Sequence, residues 1–281
     1  MKLNDLFRAY IKDMQRRGVK SIKRTQQFYD NDIRKVLGDR EVSVIIRGDI
    51  ASLLFDITDR SPYTSNKCLS ILKAMFNLAI TLSLVDNNPA LHIPKNREVK
   101  RKRYLTNDEL IAITEELDVL GENKRYTQAC NFIWLLLLTG ARVSEIAKAK
   151  WSDIKGDVLI IKEHKTDKLG EDRIIHITPG VRKILERCDR YSEYIIGIQS
   201  PRYAWDVVRK RVGCADARLH DIRHSYASWS LQKINLSDVG NLLGHKDVAT
   251  TQRYAHIHQD QAIANAQVVG QHIESIIERD L

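Results

Sequence analysis

Through the first third of the chain, apolar residues recur three and four positions apart, the period of an amphipathic helix rather than the alternation of a strand. Leu3, Leu6, Phe7, Tyr10 and Ile11 form one such stripe, and Gly18 closes it, which predicts a helix over residues 3–17. A second helix is expected over 21–37, ended by Gly38, and a short third over 49–58. A long fourth, over 62–84, places Leu72, Met75, Phe76, Ala79 and Ile80 on one face. Four helices of this kind make a small bundle around a shared apolar core.

The pattern breaks at Asn87-Asn88-Pro89, and Pro94 blocks another helix. Beyond that point the periods mix. Thr106 and Glu109 stand three apart, the spacing of a capping box, ahead of a helix over 110–117. Phe132 to Leu138 is an unbroken apolar run, too short to span a bilayer and therefore a buried helix; Gly140 ends it, Arg142 opens the next, and Trp151 is expected to pack beneath them. Residues 157–161 and 173–177 read as two strands of a small antiparallel sheet joined through a turn at 162–168. Thr178-Pro179 supplies a cap and a first-turn proline. Further helices are expected over 201–211, from Leu219 onward, and over 259–281, where Ile263, Ala266, Val269, Ile273 and Ile276 repeat at helical spacing. The fold class is mainly α with a small antiparallel β-sheet (α+β). It divides into a helical domain over 1–94, a linker over 95–103 and a mixed domain over 104–281.

Charge sharpens that division. The formal net charge of +9 lies entirely before the second domain: up to Arg103 there are 21 Lys and Arg against 11 Asp and Glu, and beyond it 24 against 25. Such asymmetry points to a polyanion held by the N-terminal part, through phosphate contacts and counterion release. Charge alone leaves a membrane surface open as the alternative. Lys95, Arg97, Lys100, Arg101, Lys102 and Arg103 gather on the linker, which reads as either a solvated tether or a basic strap along a phosphate backbone. No stretch has the form of a transmembrane helix or a secretory signal, which predicts a cytoplasmic protein. Cys68, Cys130, Cys188 and Cys214 are far apart and show no metal-ligand spacing, so they are expected to be buried free thiols.

Candidate chemistry gathers in two places. His220 and Arg223 are three apart, share a helical face and can converge on one anion. Arg142, set directly after the core helix, is held more rigidly than a surface arginine, and Glu145 one turn on is placed to orient its guanidinium. His245 follows Gly244 at a helix end, and Tyr254 brings an oxygen nucleophile. Taken singly, each has an ordinary reading: a solvated helix face, a surface ion pair, a helix cap, a packing tyrosine. Together they match what breaking a phosphodiester requires, namely charge stabilisation on the non-bridging oxygens, an in-line nucleophile and a proton for the leaving oxygen. Clustered carboxylates that would hold divalent metals are not apparent, since Asp221 stands alone beside His220. No metal or other cofactor is expected, and the inventory suits transesterification through a phosphotyrosine.

Read in order, Thr139-Gly140-Ala141-Arg142-Val143-Ser144-Glu145, then His220-x-x-Arg223, then Leu243-Gly244-His245, then Thr251-x-x-Tyr254, the sequence resembles the catalytic domain of the tyrosine recombinases, the phage integrase family. The resemblance runs from about Tyr104 to the end, and residues 1–94 resemble more weakly that family's helical core-binding domain. It implies a C-shaped clamp on DNA and a site-specific recombinase that cleaves and rejoins strands through a 3′-phosphotyrosine. Integration or excision of a phage or mobile element is the first role it implies. Alternatives within or beside the family are an Xer-like resolvase of chromosome dimers, a type IB topoisomerase and an inactive DNA-binding remnant.

The same resemblance assigns roles. Arg142 and Arg223 grip the scissile phosphate, and Tyr254 attacks it. Lys165 protonates the leaving 5′-oxygen, with Lys168 and Lys162 as rivals. His220 serves as general base or phosphate donor, and His245 as a further donor. The partners implied are double-stranded DNA at a specific site and further copies in a tetramer that passes through a Holliday junction. Accessory DNA-bending or directionality proteins belong with them, and the setting is a nucleoid-associated one in a bacterium, host- or phage-encoded. With the bundle expected to begin at Leu3, there is no room ahead of it in this sequence for the arm-binding domain of some integrases, which fits either a short recombinase or a truncated one. The tail beyond Tyr254 is expected to form a helix that docks on its own domain or on a neighbouring protomer.

Overall fold

The computed structural model describes residues 1–98, 101, 103–162 and 172–244. The chain forms two compact units, Met1–Arg101 and Lys102–Leu281. The architecture is mainly helical with one small antiparallel sheet, the fold class expected.

The first unit is built on α1 (Leu3–Arg16), α2 (Ile22–Phe28), α3 (Arg34–Leu37), α4 (Arg47–Arg60) and α5 (Pro62–Thr81). Helix α5 packs against α1, α2 and α4. The expected stripe of α1 is buried, with Met14 added to it. Four of the five apolar positions named on α5 are also buried, but Ile80 is 38% exposed. The buried face of α5 runs through Cys68, Leu69, Leu72, Met75, Phe76 and Ala79, and Ile80 falls at its edge.

The second expected helix is not continuous. A π-turn at Tyr29–Ile33 separates α2 from α3. Tyr29, Ile33 and Leu37 are all at most 1% exposed. Steps of four residues drift by about 40° each around an α-helix, so a wider turn takes up part of that drift and keeps the three in line. Tyr29 is fixed there by its ring, stacked on Phe7 at 3.6 Å, and by its hydroxyl, which donates to Asn4 at 3.0 Å.

The segment after α5 is less free than a linker. Asn66 on α5 accepts from the Asn96 backbone N–H at 2.8 Å and donates to the Asn96 carbonyl at 2.9 Å and to Glu98 at 2.7 Å. Asn96 also donates to Thr58 of α4 at 3.0 Å. Residues 96–98 are therefore seated on the bundle.

The second unit surrounds α7 (Thr127–Thr139), whose apolar run is buried on nearly every side. Helices α6 (Asn107–Gly121), α8 (Val143–Lys148), α9 (Pro179–Glu186), α10 (Arg202–Arg211) and α11 (Leu219–Leu231) pack against it. Helix α12 (Leu236–Leu243) packs on α11. The Thr106–Glu109 box is reciprocal: Thr106 Oγ1 accepts from the Glu109 N–H at 3.1 Å, and the Glu109 carboxylate accepts from the Thr106 N–H at 2.9 Å. Trp151 lies half-buried against this core, with the Arg190 guanidinium 4.5 Å from its ring centre.

The sheet gains a strand beyond the two expected, β1 (Ile154–Lys155), followed by β2 (Val158–Ile161) and β3 (Arg173–His176), in the order β1-β2-β3 and antiparallel throughout. Two residues were too few for the alternation to register. Ile161 pairs with Arg173, so the β2–β3 connection leaves and rejoins the sheet at that pair. The expected helix over 259–281 lies outside the described residues.

Candidate active site

The apolar helix α7 must stop before the chain can turn, and Gly140 stops it at φ +60°, a left-handed conformation that an L side chain adopts only with strain. A Cβ there would also meet the Tyr226 ring at 2.5 Å. The turn sets Arg142 at the N-cap of α8. Glu145, 2% exposed, accepts from the Arg142 backbone N–H at 2.9 Å and from Arg142 Nη1 at 2.6 Å. One carboxylate therefore caps the helix and orients the guanidinium. An acid three residues after the N-cap recurs on α11, where Asp221 accepts from the Arg218 N–H at 2.9 Å; Asp221 is a helix-start residue.

Helix α11 carries His220 and Arg223. Arg223 is 4% exposed, and its guanidinium donates to the Gly140 carbonyl and to the Leu243 carbonyl, each at 2.7 Å. It thus joins the ends of α7 and α12. Helix α12 closes on Gly244 in the same left-handed conformation, φ +62°. His220 packs its ring edge-on against His224, 4.6 Å between centres. It lines a cleft of about 590 Å³ together with Val143, Arg202, Trp205, Arg209 and Arg218.

Sequence reading missed Arg173. It lies on β3, 3% exposed, with Nε 3.8 Å from Glu145 Oε2 and Nη1 donating to the Asn241 carbonyl of α12 at 3.3 Å. Its Nε and Nη2 are buried and make no hydrogen bond among the described residues. Burial holds the guanidinium below the usual arginine range, and Glu145 opposes that shift. The signal was available. Arg173 is in phase with Ile175 on the inward face of β3, whose burial alternates, and a charge in phase with buried positions needs a partner.

Of the expected site residues, Arg142, Glu145, His220 and Arg223 are described, whereas Lys165, His245 and Tyr254 lie outside the described residues, as do Lys100 and Lys102. Lys95, Arg97 and Arg101 are exposed. Arg103 differs from a strap cation facing a phosphate backbone. It is bound by Glu109 and Asp216, with Nη1 2.9 Å from Glu109 Oε2 and Nε 3.0 Å from Asp216. Those carboxylates raise its pKa, and Arg103 in return lowers that of Glu109. Among the described residues no helix is long and apolar enough to cross a membrane, and no group of three His, Cys, Asp or Glu is placed to hold a metal ion.

Comparison with known proteins places this geometry. Residues 103–261 match the model of the phage integrase family. A tyrosine recombinase of Thermosipho africanus is 26% identical over 286 aligned residues, covering 91% of this chain and 95% of that one. Tyrosine recombinase XerA of Saccharolobus solfataricus is 34% identical over 180, covering 60% and 56%. Among solved structures, a lambda integrase dimer bound to a COC′ core site superposes with a TM-score of 0.75 at 21% identity, over 90% of this chain and 95% of that one. The Tn1549 transposon integrase in complex with circular intermediate DNA gives 0.72 at 19%, over 95% and 99%. The chain therefore belongs to the phage integrase family, the tyrosine recombinases, enzymes of site-specific recombination that cleave and rejoin DNA strands.

Proposed function

We propose that Arg142 and Arg223 bind the scissile phosphate of a DNA strand and stabilise the charge of its pentacovalent transition state. The Tyr254 hydroxyl attacks phosphorus, forming the Tyr–O–P bond as the bond to the 5′-oxygen breaks. His220 takes the tyrosine proton, or donates to the phosphate, and His245 donates to a non-bridging oxygen. Lys165 gives a proton to the departing 5′-oxygen. A tyrosine, with an ordinary pKa near 10, needs such help near neutral pH. The phosphotyrosine retains the free energy of the cleaved diester, so a second strand's 5′-hydroxyl can reverse the step without ATP.

One observation carries this reading. The Arg223 guanidinium donates to Gly140, two residues before Arg142, and to Leu243, two residues before His245. Gly140 lies 83 and Leu243 20 residues from Arg223 in sequence, so three segments meet at one side chain, and each carries a residue assigned to the phosphate.

The partner is double-stranded DNA at a specific site. Residues 1–94 bind it as the core-binding domain, and the linker cations Lys95, Arg97, Lys100, Arg101 and Lys102 follow its backbone. Lambda integrase has been seen as a tetramer on a Holliday junction, which supports tetrameric strand exchange here; action at the nucleoid with accessory DNA-bending or directionality proteins is the setting that the family resemblance implies. Integration or excision of a mobile element is the role preferred. Resolution of chromosome dimers stands second, favoured by the relatives named XerA and XerC.

The test is a covalent-adduct assay on DNA nicked near the exchange point, in EDTA, resolved on denaturing gels. Candidate junctions from the protein's own genome supply the DNA. A protein–DNA band lost in Tyr254→Phe is expected. A Tyr254→Phe protein that still forms the band overturns the nucleophile assignment, and binding without a band on any junction points to a remnant that binds without cutting.

A further inference from the structure

Resting on the reading of Arg142 as a phosphate ligand, we propose that Arg173 is a positioning residue for the cleavage reaction: it supplies the counter-charge that leaves Arg142 available to the phosphate. Glu145 holds Arg142 at two points. Its Oε1 lies 2.6 Å from Arg142 Nη1, and its Oε2 accepts from the Arg142 N–H at 2.9 Å. With 1% side-chain exposure for Glu145 and 16% for Arg142, these two alone would be a closed, neutral pair in a medium of low dielectric, where attraction is strong. An arginine so committed has little charge left for a substrate. Moving it toward a phosphate would also strand a buried carboxylate, which is costly.

Arg173 changes that count. Its Nε lies 3.8 Å from Glu145 Oε2, at 2% side-chain exposure, so one carboxylate faces two guanidinium groups and the trio keeps a net positive charge. Among the described residues, Arg173 Nε and Nη2 are buried and lack hydrogen bonds. They are donors held in reserve beside the acceptor that Arg142 occupies. When Arg142 turns to the phosphate, Glu145 retains a buried partner able to close the remaining distance.

Arg173 also reaches α12. Its Nη1 donates to the Asn241 carbonyl at 3.3 Å, and a Cβ at position 244 would lie 2.4 Å from its Cδ. The same side chain thus sets the distance between the Arg142–Glu145 corner and the helix end that leads to His245. It stands at the strand position where the β2–β3 connection bearing Lys165 rejoins the sheet.

The experiment measures single-turnover adduct formation on nicked DNA, DNA affinity and thermal unfolding for Arg173→Met, Arg173→Lys, Glu145→Gln, the double variant Arg173→Met/Glu145→Gln, and Arg142→Ala as control. Arg173→Met should slow cleavage by about ten- to a hundredfold, the size of effect that misplacing a reacting group produces, with DNA affinity nearly unchanged. Arg173→Lys should keep more of the rate than Arg173→Met. The double variant should cleave faster than Arg173→Met alone, because a neutral Gln no longer holds Arg142 back, and a purely structural role would give no such recovery. If Arg173→Met fails to fold, the double variant decides: folded and cleaving supports the proposal, folded and as inactive as Arg142→Ala overturns it. Wild-type cleavage by Arg173→Met also overturns it. Cleavage that survives Arg142→Ala instead sinks the reading on which the proposal rests.

Discussion

Gly244 and Arg173 stand so close that a methyl group on the first would lie 2.4 Å from Cδ of the second. Gly244 also has φ +62°, where an L side chain costs about 1–2 kcal/mol. Strain and overlap act together: a shift of Arg173 would relieve only the overlap, and it would disturb the Arg173 hydrogen bond to Asn241. Gly244→Ala should therefore destabilise the second domain by about 1–3 kcal/mol and slow adduct formation more than that loss of folded protein explains. Calorimetry and the single-turnover assay, run on the same preparation, check both parts. An alanine variant with wild-type melting and cleavage would show that the end of α12 is free to move.

A second prediction concerns Arg142. Loss of one preorganised donor to a developing oxyanion costs about a hundred- to a thousandfold in rate, so Arg142→Ala should cut adduct formation by about that much. DNA affinity should fall far less, since most of it comes from the many other phosphate contacts. Equal losses of binding and cleavage would place Arg142 in general DNA binding and remove it from the transition state.

Much of this arrangement was legible in the sequence. The α1 stripe, the buried α7 and the Thr106–Glu109 box each express one local rule, so pattern and structure agree. Arg142 and Glu145 were readable because their relation spans one helical turn. Arg173 was not, because an arginine in a short strand is ordinarily taken as solvated, and only its phase with Ile175 marks it as inward-facing. The π-turn at Tyr29 answers to packing against Phe7 from another helix, which local periodicity does not contain. The seating of residues 96–98 on Asn66 was hidden for a related reason: polar side chains that bind backbone look the same in sequence as those that bind water.

That seating gives a third prediction. Asn66 is 4% exposed and makes three hydrogen bonds to Asn96 and Glu98. Asn66→Ala leaves those groups without partners and should release the segment, at about 1–3 kcal/mol for the buried polar groups involved. Limited trypsin digestion should then cut after Lys95 and Arg97 sooner than in wild type, before the helices of the first unit are attacked. Unchanged cleavage order and rate would mean that packing, not Asn66, holds the segment.

Arg103 and Arg97 separate structural from DNA-binding charge. Arg97 is exposed, and if it contacts a phosphate, Arg97→Ala should lower the slope of log affinity against log salt by about 0.9. Arg103 is engaged by Glu109 and Asp216, so Arg103→Ala should leave the slope nearly unchanged and lower the melting temperature. The sign of its pH dependence follows from Glu109, whose pKa in the folded protein is lowered chiefly by Arg103. The stabilisation is present above the ordinary carboxylate range and is lost as pH falls through the lowered value. The melting difference between wild type and Arg103→Ala should accordingly shrink on acidification. A difference that grows in acid, or a slope that falls with Arg103→Ala, would return Arg103 to the DNA-binding strap.

The cysteines test the nucleophile from the opposite side. All four are buried free thiols, and burial pushes Cys68 up to about 12 and both Cys130 and Cys188 up to about 11. Cys214 is raised as well, again chiefly by burial. A thiol reacts as its thiolate, so at neutral pH these groups should resist alkylation in the folded protein. Iodoacetamide at pH 7.5 should leave the intact mass unchanged until denaturant is added, when four alkyl groups appear, one for each cysteine. Adduct formation on nicked DNA should survive the native treatment in full, because an oxygen nucleophile at Tyr254 is untouched by the reagent. Loss of cleavage in step with alkylation of one cysteine would mean that a thiol lies at the reacting phosphate, and the assignment to tyrosine would have to yield.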